Sequence, residues 1–332
     1  MPSAWSAPGV QERLSELIWA LPPAAPPEII YELLQADAYP ELLGIDLFQI
    51  SATVAFGEPP FQVLALLGEF DPQLVRAAFS ERDYVVSADS SAGLLLCPAE
   101  GCDQGAVVDL GSQEPANPFG GAFGRRQPAL AAAAHLISSP SDAALGSVAR
   151  VIEGSGPSLA SLAPVRALTE LLAGSGHLLN LTVVNPGLLS VVDPLQLGWL
   201  EPDQAQERLQ ALAEVPLPPY SLAAYAAVVD SGFDRGLVLL VYANQQQAEQ
   251  AVTALEARLN DLPLTPRGPS FAAVWTDYGE LAAVRAEAAA GRWVVMVQLS
   301  APAPASGRAA VPFTALLNEL LRHETLWLLP GG

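Results

Sequence analysis

Two apolar runs of strand length, each leading into a capped helix, constrain this chain more than any other feature. The first is Phe61-Gln62-Val63-Leu64-Ala65-Leu66-Leu67 and the second is Leu237-Val238-Leu239-Leu240-Val241-Tyr242-Ala243. Runs this short and this apolar read as buried strands, since a helix of that length would bury little. Asp71-Pro72 follows the first, with Asp as N-cap and Pro at the first helical position. Asn244 follows the second as the N-cap of a long helix that places Ala248, Val252, Leu255 and Leu259 on one face.

Around both runs the same order is read: strand, turn, apolar strand, capped helix, strand, strand. It spans residues 45–110 and again 222–299, although few identical residues support a repeat. The expected fold class is therefore α+β, with two ferredoxin-like or related α/β sandwich units whose helices cover one face of an antiparallel sheet. The expected division is a helical N-terminal segment at 1–40, a first unit at 41–214 and a second at 215–332. Val10–Leu21 and Glu28–Gln35 supply the N-terminal helices, and the three prolines of Val215–Pro219 read as a stiff linker. Further strands are expected at Ala106–Leu110, Ala129–Ile137, His177–Val184 and Phe271–Trp275. Leu281–Ala288 and Arg292–Leu299 read as a hairpin around Ala290-Gly291, with a helix over Leu281–Ala290 as the competing reading.

Charge narrows the function. Of 332 residues, 35 are acidic and 15 basic, and every basic residue is Arg. A net charge of −20 repels phosphate backbones, so no nucleic-acid partner is expected. With no Lys in the chain, a P-loop, a pyridoxal-phosphate Schiff base, a protein-kinase site and a Ser-x-x-Lys acyl-enzyme site are excluded by chemistry. No cofactor is expected. No run of 18 or more apolar residues is free of charge and proline, so no transmembrane segment is expected either.

Cys97 and Cys102 stand as C-P-A-E-G-C, with the turn formers Pro98 and Gly101 between them. Cysteines at the shoulders of a tight loop suit a structural disulfide, which would place the protein outside the cytoplasm. Two inert thiols, or a metal or redox role, are the alternatives. A structural zinc site normally needs four ligands and there is no second pair, so no metal is expected.

Phe70-Asp71-Pro72 with its helix, Asp83-Tyr84, Gly124-Arg125-Arg126-Gln127-Pro128 and Ser138-Ser139-Pro140 together resemble uncharacterised bacterial envelope proteins, often lipoproteins. The resemblance covers residues 40–185 and implies an extracytoplasmic location in the cell envelope, with no known activity. The lipid-carrying Cys that such proteins bear near their start is missing here.

The most unusual segment is Asn117-Pro118-Phe119-Gly120-Gly121-Ala122-Phe123-Gly124-Arg125-Arg126. It combines three glycines, two phenylalanines and the only Arg-Arg pair. Phe119, Phe123, Arg125 and Arg126 are the candidate binding residues: the arginines for a carboxylate or phosphate, the rings to anchor a protein partner. The competing reading has the arginines paired with local acids and the rings packed beneath the loop. No catalytic residue is assigned. His135, His177 and His323 are the only histidines, no G-x-S-x-G elbow is present, and carboxylates such as Asp46, Glu58 and Glu69 are isolated. The expected function is a non-enzymatic, extracytoplasmic binding or structural protein of a bacterial envelope assembly, taking a protein partner or a small acidic ligand. A hydrolase with a dispersed His/carboxylate site and a cytoplasmic subunit of a larger complex are the alternatives.

Overall fold

The computed structural model describes residues 38–57, 62–189, 202–230, 232–261, 270–303, 311–321 and 325–330. The expected N-terminal helices, Glu58 and His323 lie outside them. The fold is α+β, with two antiparallel sheets carrying helices. Compact units divide the chain at 158/159, well before the expected 214/215.

In the first unit, α1 (Tyr39–Leu43) precedes the hairpin β1 (Ile50–Phe56) and β2 (Val63–Gly68). Helix α2 (Pro72–Ser80) follows, then the hairpin β3 (Tyr84–Ser90) and β4 (Gly93–Pro98). Asp71 caps α2, its carboxylate accepting from the Gln73 amide at 2.9 Å, with Pro72 at the start as the sequence demanded. After a long connection come β5 (Ala129–Ala132), β6 (His135–Ser138) and α3 (Asp142–Ile152). The sheet order is β1-β2-β6-β5-β4-β3. The expected single strand at Ala129–Ile137 is thus a hairpin turning at Ala133-Ala134. Its apolar residues are continuous because both arms are central.

The second unit contains α4 (Ala163–Ala173), β7 (His177–Val184), α5 (Pro202–Glu214), and the hairpin β8 (Leu222–Asp230) and β9 (Phe233–Tyr242). It continues with α6 (Gln245–Asp261), α7 (Phe271–Trp275), the hairpin β10 (Glu280–Ala289) and β11 (Arg292–Pro302), and α8 (Val311–Leu321). The order is β10-β11-β9-β8-β7. Strand β7 pairs along β8, which places 177–184 in the second sheet and explains the early boundary. Ala290 and Gly291 join β10 to β11 with φ of 45° and 73°, the left-handed pair that a two-residue hairpin loop requires.

Helices lie on both faces of the second sheet, where one covered face was expected. Ala223, Tyr225, Ala227, Val238, Leu240 and Tyr242 join the core of α6, α7 and α8. Their alternates Ala224, Ala226, Val228, Leu237, Leu239 and Val241 join Ala167, Leu168 and Leu172 of α4. An unbroken apolar run is what a strand buried on two sides needs. Phe271–Trp275 is helical rather than extended: Ser270 caps it by accepting from the Ala273 amide, and Phe271, Trp275 and Trp327 stack into one aromatic cluster. Val215–Pro219 is no interdomain linker, since Leu217 is fully buried and bridges Pro330 inside the second unit.

Arg258 holds this corner together. It is 1% exposed and spends its guanidinium on four backbone carbonyls, those of Val215, Trp327, Leu329 and Leu212, at 2.7–3.1 Å. Burial lowers its pKa to about 10, opposed by the nearby Tyr242 and Tyr220 phenols. Burial in turn pushes both phenols well above the usual tyrosine range.

Candidate functional site

The connection from β4 to β5 lacks strands yet is densely hydrogen-bonded. Cys97, buried on β4, and Cys102 lie at disulfide distance, with Cα atoms 4.8 Å apart. A 3₁₀ turn at Cys102–Ala106 follows, in place of the expected second strand shoulder. Ala106–Leu110, expected as a strand, is irregular. The reason lies in Asp109, whose carboxylate accepts from the Gly111 amide at 3.0 Å and the Ser112 hydroxyl at 2.7 Å, curling the chain out of extension. The same two bonds, the Ser112 hydroxyl first, hold its carboxyl below the ordinary aspartate range.

This curl is tied to the glycine-rich segment. Asp109 donates its amide to the Phe123 carbonyl, Glu114 to Gly121, and the Gln113 side-chain amide to Ala122 at 2.6 Å. Gly124 stands at φ 63°, where a Cβ would also collide with the Asp109 carbonyl oxygen. Glycine is therefore required there by both torsion and space.

Within this frame the four candidate residues have different fates. Phe119 is 3% exposed and packs beneath the loop, its amide bonded to the buried Asn117 side chain at 3.0 Å. Arg126 is engaged. Its guanidinium donates to both Glu100 oxygens at 2.9–3.0 Å and to the Arg82 carbonyl, and lies 5.2 Å from the centre of the Tyr84 ring. Phe119 is thus buried, whereas Arg126 keeps 32% of its side chain exposed within its ion pair. Phe123 is 55% exposed, and the Arg125 guanidinium lies 5.3 Å from its ring centre. Arg125 Nε is buried without a hydrogen-bond partner among the described residues.

The sequence did not mark the neighbours of Phe123. Val107, Val108 and Leu110 are 54%, 49% and 66% exposed. They lie on one of the two segments that the Asp109–Phe123 backbone bond joins, and the exposed Phe123 lies on the other. The available signal was Ala106-Val107-Val108-Asp109-Leu110-Gly111, whose Asp-x-Gly ending argues for a turn rather than a strand.

A polar network supports the loop from below. Arg82 is paired with Glu114, donates to the Leu42 carbonyl at 3.0 Å, and lies 5.6 Å from both the Phe79 and Tyr84 rings. Glu114 also accepts from Asn117 at 3.1 Å. Tyr84 sits between Arg82 and Arg126. Burial raises its phenol to about 12, partly offset by the two guanidiniums.

Other chemistry has little to build on. His135 Nε2 lies 2.9 Å from the Ala92 carbonyl oxygen, and His177 opens β7 on the surface. Among the described residues no group of three His, Cys, Asp or Glu could hold a metal ion. No described helix is long and apolar enough to cross a membrane. Comparison with family models, curated proteins and solved structures gives no match for this chain.

Proposed function

We propose that the protein is a non-enzymatic recognition protein of a bacterial envelope assembly, working outside the cytoplasm and binding a protein partner through Val107, Val108, Leu110 and Phe123. The observation that carries this reading is the exposure of those four side chains on a loop held in one shape by hydrogen bonds. Clustered exposed apolar side chains mark interaction sites on soluble proteins. A loop already ordered before binding loses less entropy when a partner arrives. Arg125, stacked on Phe123, adds a cation beside the apolar group, as hot-spot arginines do. The disulfide-distance pair Cys97–Cys102 supports the location, because such bonds persist in oxidising compartments.

Leu110→Ser with Phe123→Ser tests the surface. Both side chains are exposed, so stability changes by no more than about 0.5 kcal/mol. Affinity purification from the native source then returns the wild-type partner set without the specific partner. An unchanged set contradicts the proposal. Location is tested separately by the intact mass of native protein alkylated without reductant: no alkyl group is expected on either cysteine, and two would place the chain in a reducing compartment.

A further inference from the structure

Arg125 is the cation that the recognition loop leaves unmatched. The connection 99–128 holds four acids and two arginines. Glu100 accepts from Arg126 with both oxygens, and Glu114 is paired with Arg82 and accepts from Asn117. Asp109 accepts from the Gly111 amide and the Ser112 hydroxyl, and Asp103 from the Gln104 side-chain amide at 3.3 Å. Every carboxylate of the connection is engaged elsewhere, and the Arg125 side chain donates no hydrogen bond to a described residue. A chain of net charge −20 has acids in surplus, so this is an unmet charge and not a shortage of partners.

The cation is also held in place. Its backbone amide donates to the Gly120 carbonyl at 3.1 Å, and its guanidinium lies 5.3 Å from the centre of the Phe123 ring. Nε is enclosed without a partner, whereas Nη1 and Nη2 are not enclosed. The group open to a ligand is therefore the two-pronged end of the guanidinium, which matches the two oxygens of a carboxylate. Apolar side chains stand nearby. Phe123 is 55% exposed, and its carbonyl accepts from Asp109, which lies between the exposed Val108 and Leu110.

The loop lacks what a phosphate or a chain terminus would need. Sites for those groups gather backbone N–H donors. Here the amides of Phe119, Gly121, Phe123, Gly124 and Arg125 are all spent on acceptors inside the loop. Arg126 is spent on Glu100, so one positive charge is on offer, enough for one carboxylate. A highly acidic partner would be repelled by the net charge of −20.

We infer that the partner met at the Phe123 surface presents a single Asp or Glu side chain next to an apolar or aromatic one. Its carboxylate is received end-on by Nη1 and Nη2 of Arg125, and its apolar neighbour packs on Phe123. This pairing presupposes the recognition surface proposed above and assigns the chemistry of what binds there.

A library of random peptides, displayed with their C-termini fused to the carrier and selected on the intact protein, supplies the test. Peptides retained by the wild type and not by Phe123→Ser are expected to share an acid adjacent to an aromatic or aliphatic residue. The tightest of them is then synthesised with an amidated C-terminus and titrated by fluorescence anisotropy. Replacing its acid by the matching amide is expected to weaken binding at least about tenfold, the loss of one charge-assisted contact. Arg125→Gln weakens the acidic peptide by a similar factor and leaves the amide peptide unchanged, the coupling that a direct pair shows. The peptide replacement leaves the protein untouched, so its effect is separate from any change in folding. Phe123-dependent peptides that carry no acid, or that tolerate its loss, overturn the carboxylate assignment and leave the recognition surface standing. If no peptide depends on Phe123, both fall.

Discussion

The two units build on the same hairpin–helix–hairpin and part ways at the centre of the sheet. In the second, β9 pairs directly with β11, and the strands run β10-β11-β9-β8. In the first, the hairpin β5–β6 stands between β2 and β4, so the order becomes β1-β2-β6-β5-β4-β3. The second unit buries β8 and β9 almost end to end, whereas the first exposes β1 from Ser51 to Phe56 and β3 from Val85 to Ser90. The inserted hairpin arrives with the connection 99–128, which carries Glu114, the Glu100–Arg126 ion pair, Cys102 and the exposed apolar side chains. A sheet core fixes strands through buried apolar area and the backbone ladder. A loop that presents side chains to solvent has to be fixed by directional bonds, and that is where the first unit places Asn117, Glu114 and Arg126.

The largest expected effect falls on the second unit. Arg258→Met removes donors from four buried carbonyls and is expected to cost about 3–5 kcal/mol, read by urea denaturation followed by tryptophan fluorescence, to which Trp275 and Trp327 contribute. A loss under about 1 kcal/mol would mean that water already serves those carbonyls.

Alkaline pH probes the first unit. The Tyr84 phenol is raised to about 12, so the folded state holds its proton more tightly than the unfolded one. The associated stability, roughly 2–3 kcal/mol, is fully present below the unfolded value near 10 and is lost as pH rises through about 12. Tyr84→Phe removes that dependence and one late-titrating phenol from the absorbance at 295 nm. If the wild type and variant lose stability in parallel, Tyr84 is not the responsible group.

Cys97→Ser with Cys102→Ser has the smallest effect. The closed loop is short, so about 2 kcal/mol is lost if the pair is bridged. The loss should be confined to the first unit, with the Trp transition of the second unchanged. A shift in that transition would show that the units do not unfold separately.

The comparison also explains what the sequence disclosed. Asp71-Pro72, Ser141 and Asn244 mark helix starts because a cap is a local interaction between neighbours. Ala290-Gly291 marks a hairpin for the same reason. The second covered face was implicit in the unbroken run Leu237–Tyr242, whose alternate residues enter two different cores. Phe271–Trp275 was read as a strand, and the Ser270 cap together with packing on Trp327, distant in the chain, accompanies its helical form. The candidate loop was legible as a segment, through its glycines and arginines, but the fates of its side chains were not. Whether Phe119 or Phe123 faces solvent depends on backbone turns at Gly120 and Gly124, and Arg126 depends on Glu100 across the loop. Ala106–Leu110 was read as a strand because apolar residues in a row ordinarily form one, and the Asp109 turn overrules that pattern.

The most direct measurement is site-specific photo-cross-linking in native cells. A photoreactive phenylalanine analogue replaces Phe123 in one variant and the equally exposed Leu74 of α2 in another. Recognition through the 107–125 surface predicts one discrete adduct from position 123, absent from position 74 and lost when Leu110→Ser is added. The same adducts from both positions, or none from 123, would contradict it.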